Sequence, residues 1–108
     1  EMPAAIEASL APPRATAAAA TDLLRLIESL APITNRFLRS DLVVAAALAE
    51  ATTRAAWWNI AANSPMLADD AARAAIIDEA NRLLADATHR RQIVERACAF
   101  ETMPAPNG

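Results

Sequence analysis

The chain has 108 residues, 55% of them hydrophobic, with ten basic residues against thirteen acidic ones, a formal net charge of −3 and one cysteine. The acidic balance offers no electrostatic footprint for nucleic acid, and a lone cysteine rules out a disulfide framework. The longest apolar run, Leu42 to Ala49, ends at Glu50 and falls far short of the ~20 residues a membrane span requires.

Abundant alanine, a single glycine and no stretch of alternating apolar and polar residues point to an all-α chain. The first helix is expected from about Ala4 to Ala31. Pro12-Pro13 should kink or break it, because proline lacks the amide donor and its ring crowds the preceding turn. Beyond the prolines, Leu23, Leu24, Leu26, Ile27 and Leu30 form a broad apolar stripe, with Asp22, Arg25 and Glu28 on the other face. Pro32 stops the helix, and residues 33–39 form a loop.

Ser40 reads as an N-cap, with Asp41 in the first turn of a second helix, where its charge favours the positive end of the dipole. That helix runs to about Ala62 and is apolar except for Glu50, Thr52, Thr53, Arg54 and Asn59, the pattern of a central, buried helix. Asn63-Ser64-Pro65 makes the next break, with Pro65 suited to a first helical position. The third helix is expected from about Ala68 to Phe100. Ile76, Ala80, Leu83, Leu84, Ala87, Val94 and Cys98 mark its buried face; Asp78, Glu79, Arg82, Asp86, Arg90 and Arg91 read as its solvated face. Residues 103–108, with two prolines, read as a disordered tail behind a domain spanning 1–102. Short connections between long helices predict an up-and-down bundle of three helices.

The chain starts at Glu1 and has a positive mean hydropathy of +0.16. Three helices of this size cannot cover that much apolar surface unaided. The expectation is a fragment or processed product that packs against another helical chain, either a second copy or a missing half. No signal peptide is visible, which fits a cytoplasmic protein.

Glu7-Ala8-Ser9-Leu10-Ala11-Pro12, Asn35 followed by Ser40-Asp41-Leu42, the run Ala45 to Ala51, Arg54-Ala55 and Asn59-Ile60-Ala61-Ala62-Asn63 occur in that order. Together they resemble the C-terminal half of the cyclodeaminase/methenyltetrahydrofolate cyclohydrolase family, which includes the cyclodeaminase domain of formiminotransferase-cyclodeaminase. The pieces correspond to its Glu-Ala-Ser/Thr-x-x-Pro helix, its Gly-Asn-x-Asn-x-x-Ser-Asp loop, its Ala-rich run to Arg-Gly, and its Asn-Val-x-Ile-Asn. The chain departs from that pattern at Thr34, Phe37, Ala55 and Trp57-Trp58, and carries no glycine-rich Ser-Gly-Gly-Gly-Ser segment.

The resemblance implies a helical, dimeric enzyme that binds a tetrahydrofolate derivative as substrate, with no metal. It would either cyclohydrolyse methenyltetrahydrofolate or cyclodeaminate formiminotetrahydrofolate. The alternative is a non-catalytic helical subunit, or a divergent member acting on another ligand. Asp41 is the candidate catalytic carboxylate, able to stabilise charge at the one-carbon unit or to move a proton; capping the second helix is its structural role. Asn35, Ser40, Asn59 and Asn63 are candidate ligand-binding groups, because carboxamides match the pterin amide edge. Asn63 also suits a C-cap, and Asn59 a buried structural hydrogen bond. Arg36 and Arg39 suit an acidic glutamyl tail or plain solvation. Arg54 should pair with Glu50, or with an acid of a partner chain. His89, without a second His or Cys nearby, should lie on the surface and hold no metal. At least one of Trp57 and Trp58 should meet a partner surface or a ligand ring, core packing being the default.

Overall fold

The computed structural model of the chain describes residues 2–99. The expected tail at 103–108 lies outside them. Three α-helices follow in order: α1 (Met2–Leu30), α2 (Arg39–Asn63) and α3 (Asp70–Cys98). One-turn 3-10 segments, Arg36–Leu38 and Ser64–Met66, make the corners. All three helices pack on one another as an antiparallel bundle, and no strand occurs among the described residues.

α1 does not break at Pro12-Pro13; it runs through both. The prolines deprive the carbonyls of Ala8 and Ser9 of their helical donors, but both residues are exposed, so water can replace them. Ile6 and Leu10 before the prolines and Ala17 after them are buried on one side, which holds the helix together across the defect.

The corner between α1 and α2 is capped by Asn35, whose Oδ1 accepts hydrogen bonds from the amides of Phe37 (2.9 Å) and Leu38 (3.2 Å). α2 therefore starts at Arg39, directly from this turn, and Leu38 at its cap position makes no side-chain bond. Ser40 is not the N-cap that its residue type suggested. Asn63 likewise caps nothing with its side chain; the amide of Ser64 closes α2 by donating to the Ile60 carbonyl. Pro65 opens a 3-10 turn rather than α3, which is capped by Asp69 accepting from the amides of Ala71 (2.9 Å) and Ala72 (3.2 Å).

The core has two clusters. Leu24, Ile27 and Ala31 of the α1 end meet Ala46 and Ala49 of α2 and Ala87, Val94 and Cys98 of α3. Towards the other end Ile6, Leu10, Ile60, Leu67 and Ala80 pack with Trp57, Ile76 and Ile77. Many buried positions are alanine, so the helices approach closely but each position contributes little apolar area. α2 is not buried all round: Val44, Leu48 and Trp58 are exposed on its outer face, as are Leu23, Leu26 and Leu30 of α1.

Two arginines read as solvated in fact tie the helices together. Arg90 of α3 pairs with Glu28 of α1 and with Asp86 at 3.0 Å. Arg91 bonds Glu50 of α2 and, at 2.7 Å, Glu95. Arg54 joins the same carboxylate, Nε to Glu50 Oε1 at 3.6 Å, as the i,i+4 spacing predicted.

The hydroxyl of Ser64, 1% exposed, has no hydrogen-bond partner. A buried polar group left unpaired costs free energy that an apolar replacement recovers. Ser64→Ala is expected to stabilise the chain by about 1 kcal/mol in urea unfolding. A loss of stability in that measurement means the hydroxyl is bonded after all.

Candidate functional site

The groove between α1 and α2 on the outer side of the bundle contains two depressions. The first, about 370 Å³, is lined by Leu30, Ile33, Thr34, Leu38, Leu42 and the carboxylate-bearing Asp41. The second, about 340 Å³, is lined by Pro12, Pro13 and Thr16 of α1 and by Thr52, Ala55, Ala56 and Asn59 of α2. Each arises because the close packing seen in the alanine core is interrupted at the groove's ends, by the Asn35 corner at one and the two prolines at the other.

Asp41 is exposed, and no hydrogen bond or ion pair engages its carboxylate among the described residues. Its negative charge sits in the first turn of α2, facing apolar walls. The same corner holds Ser40 and Arg36, both exposed. Asn35 is adjacent, but its Oδ1 is committed to the backbone, which leaves only the amide NH2 to meet a ligand. Arg39 turns the other way. Two residues from Asp41 on a helix, it lies on the opposite face, half-buried, with a Nε that has no partner, and its charge acts on Cys98 of α3.

Asn59 is exposed in the second depression, and Asn63 stands one turn further along, half-buried. Eighteen residues of helix separate Asp41 from Asn59, about 27 Å. The seven sequence candidates thus divide: Asn35, Arg36, Ser40 and Asp41 at one end of α2, Asn59 and Asn63 at the other, and Arg39 on the far face. Thr16 and Thr52 of the Asn59 depression carry no signal in the linear pattern, since they meet only when α1 and α2 pack antiparallel. Thr52 is locally recognisable as a helix-bonded threonine, its hydroxyl donating to the Leu48 carbonyl at 2.8 Å.

A third depression, about 390 Å³, lies between α1 and α3 and is lined by Ala18, Arg25, Glu79, Arg82, Leu83 and Asp86. Both of its carboxylates are paired, Glu79 with Arg14 at 3.2 Å and Asp86 with Arg25 at 3.9 Å. His89 is exposed, and no group of three or more His, Cys, Asp or Glu that could hold a metal occurs among the described residues. No described helix is long and apolar enough to cross a membrane. Trp57 is half-buried and donates to Asn81 Oδ1 at 2.8 Å, packing edge-on against Trp58, which is exposed.

Burial pushes the Cys98 thiol up, and the Arg39 guanidinium, which favours the thiolate, offsets part of that. A thiol held neutral in the fold contributes stability that is full below the unfolded thiol range, ~8.5, and is lost as pH rises through the folded value. Iodoacetamide is therefore expected to alkylate Cys98 in urea-unfolded chain and to leave it largely unmodified in the native chain at pH 8. Equal rates in both states contradict the packing described.

A profile of the formiminotransferase-cyclodeaminase family matches residues 1–82, which takes in α1, α2, the two depressions between them and the first part of α3. The chain belongs to that family. No curated protein and no solved structure matches it. In this formiminotransferase-cyclodeaminase relative the match ends before Arg90 and Arg91, so the ion pairs that clamp α3 lie beyond the matched segment.

Proposed function

We propose that this chain is part of a helical assembly that acts on the one-carbon unit between N5 and N10 of a tetrahydrofolate. The reaction is cyclohydrolysis of methenyltetrahydrofolate or cyclodeamination of formiminotetrahydrofolate. The observation that carries this reading is the family match over residues 1–82 together with the position of Asp41, an unengaged carboxylate at the rim of an apolar depression. Both reactions pass through a tetrahedral carbon beside nitrogens that gain or lose positive charge. Asp41 suits that step, because a fixed carboxylate stabilises the cation and accepts or returns the proton. Ser40, Arg36 and the Asn35 amide are placed to hold the ligand at the same end, and Asn59 and Asn63 to meet it from another chain.

The other chain, a second copy or a complementary N-terminal half, completes the cleft. In support, the groove's apolar residues are uncovered and its polar candidates are split between two ends. The reading implies a cytoplasmic setting. The test is to add methenyltetrahydrofolate to the full chain, alone and with any copurifying partner, and follow loss of its near-ultraviolet absorbance, with ammonia release from formiminotetrahydrofolate as the parallel assay. Turnover of either substrate above the buffer rate supports the reading, and none in either assay sinks it.

A second reading, a non-catalytic subunit that keeps the bundle, is favoured by the use of Asn35 Oδ1 as a backbone cap. It predicts tetrahydrofolate binding without turnover, or no binding at all, in the same assays.

A further inference from the structure

The corner between α1 and α2 leaves large apolar side chains bare. Ile33 and Phe37 are 78% and 88% exposed, and Leu38 is 48% exposed. Beside them Leu30, Ile33, Leu38 and Leu42 wall the depression that Asp41 rims. Apolar groups gathered this openly at one place mark a surface that something covers. The same corner carries an unanswered charge. Residues 33–40 include Arg36 and Arg39 but no acid. Arg39 Nε is buried without a hydrogen-bond partner, and no carboxylate pairs with either guanidinium among the described residues. A buried donor costs free energy until an acceptor reaches it, and the positive end of the α2 dipole lies at the same place.

The chain itself arrives here. Cys98 near the end of α3 packs in one cluster with Ala31, and the Arg39 guanidinium acts on its thiol. Ala99 stands one turn beyond Glu95 and two beyond Arg91, which bonds Glu50 of α2, so α3 ends on the side that faces α2. The backbone of Ala99 is extended, with ψ at 142°. Phe100-Glu101-Thr102-Met103 comes next in sequence, and Glu101 is the one charged group among residues 100–108. Four extended residues span about 13 Å, more than the ~8–10 Å between packed helix axes. Met103 is therefore within reach of the depression across the first turn of α2.

We propose that this corner is the docking surface for the chain's own segment 100–103, with the Glu101 carboxylate on Arg39 and the Met103 side chain in the Asp41 depression. Residues two apart in an extended segment face the same way, about 7 Å from one another, so one short strand answers both the charge and the apolar walls. A flexible thioether suits an irregular apolar hollow. An apolar helix from elsewhere would cover the walls and leave Arg39 Nε without its acceptor. One consequence rests on the folate reading of Asp41: the docked methionine fills space that the ligand needs, so the segment competes with substrate.

The test is nuclear magnetic resonance of the full chain with labelled methionine, leucine and isoleucine methyls. The chain has three methionines, and Met103→Ser identifies the Met103 signal by its loss. Contacts are expected from the Met103 methyl to methyls of Leu30, Ile33, Leu38 or Leu42 of the same chain. No such contact, or contacts only between labelled and unlabelled chains in a mixture, overturns the docking. Glu101→Gln should weaken these contacts at least about five-fold in population while circular dichroism stays helical. Undiminished contacts in that variant overturn the pairing with Arg39.

Added methenyltetrahydrofolate should displace the Met103 methyl, and Met103→Ser should lower KM about 10-fold with kcat unchanged, the scale set by burying one methionine. An unchanged KM in a chain that turns over overturns the competition. No turnover in the wild type, with the methyl contacts present, defeats the folate reading and leaves the docking supported.

Discussion

Replacing Glu50 with alanine is expected to cost about 2–3 kcal/mol and to lower the melting temperature by roughly 10–20 °C for a chain of this size. Glu50 is 9% exposed in the middle of α2 and accepts from Arg91 of α3, with Arg54 Nε at 3.6 Å. Without it the Arg91 guanidinium, whose side chain is 17% exposed, keeps Glu95 as its charge partner within α3 but loses the carboxylate on α2. Removing one partner of a buried pair typically costs about 3–5 kcal/mol. The remaining Glu95 contact and partial solvation of the pair place this case below that range. Glu50→Gln keeps an acceptor for the Arg91 N–H and should cost about half as much, which separates loss of charge from loss of the hydrogen bond. Urea unfolding of the two variants, repeated at high salt, measures both. If Glu50→Ala costs less than about 0.5 kcal/mol, the pair behaves as an ordinary surface ion pair, and the account of how α3 is clamped to α2 is wrong.

That clamp marks where the sequence stops being readable. Arg90 and Arg91 sit in a charged run of α3 that looks like a solvated face, because nothing in a linear pattern shows that Glu28 and Glu50 lie across from them, 62 and 41 residues away. Local chemistry was far more legible. Alanine richness and scarce glycine predict three helices, and their ends fall within a few residues of those observed. The differences have local causes: Asn35 caps the turn before α2, so Ser40 has no capping role, and flanking core contacts carry α1 through Pro12-Pro13. The broad apolar stripe of α1 is only partly core. Leu24 and Ile27 are buried, whereas Leu23, Leu26 and Leu30, about a quarter-turn or more round the helix, face outward into the α1–α2 groove. For the candidate site, the sequence identifies polar residues in an apolar setting and places Asp41 and Asn59 at opposite ends of the second helix, but cannot show the depressions beside them, whose α1-side walls, Leu30 at one and Pro12, Pro13 and Thr16 at the other, arrive only through packing.

Asp41→Ala is expected to lower turnover of the folate substrate by about 10²–10⁴-fold, the range that a positioned proton-transfer group contributes. Stability should change little. The carboxylate is exposed and engages no other side chain, so its loss removes only its interaction with the α2 dipole, about 0.3–1 kcal/mol. That asymmetry separates catalysis from capping. A group that merely steadies the first turn of α2 gives a small stability loss and turnover within about two-fold of wild type, because a folded site keeps its geometry. Asp41→Asn sharpens the contrast: it preserves size and hydrogen-bonding reach, but supplies neither negative charge nor a base. If Asp41→Asn restores turnover, the residue binds ligand through hydrogen bonds, and the proton passes through another group. If both variants are inactive while their circular dichroism and urea midpoints match the wild type, the carboxylate charge at this rim drives the chemistry.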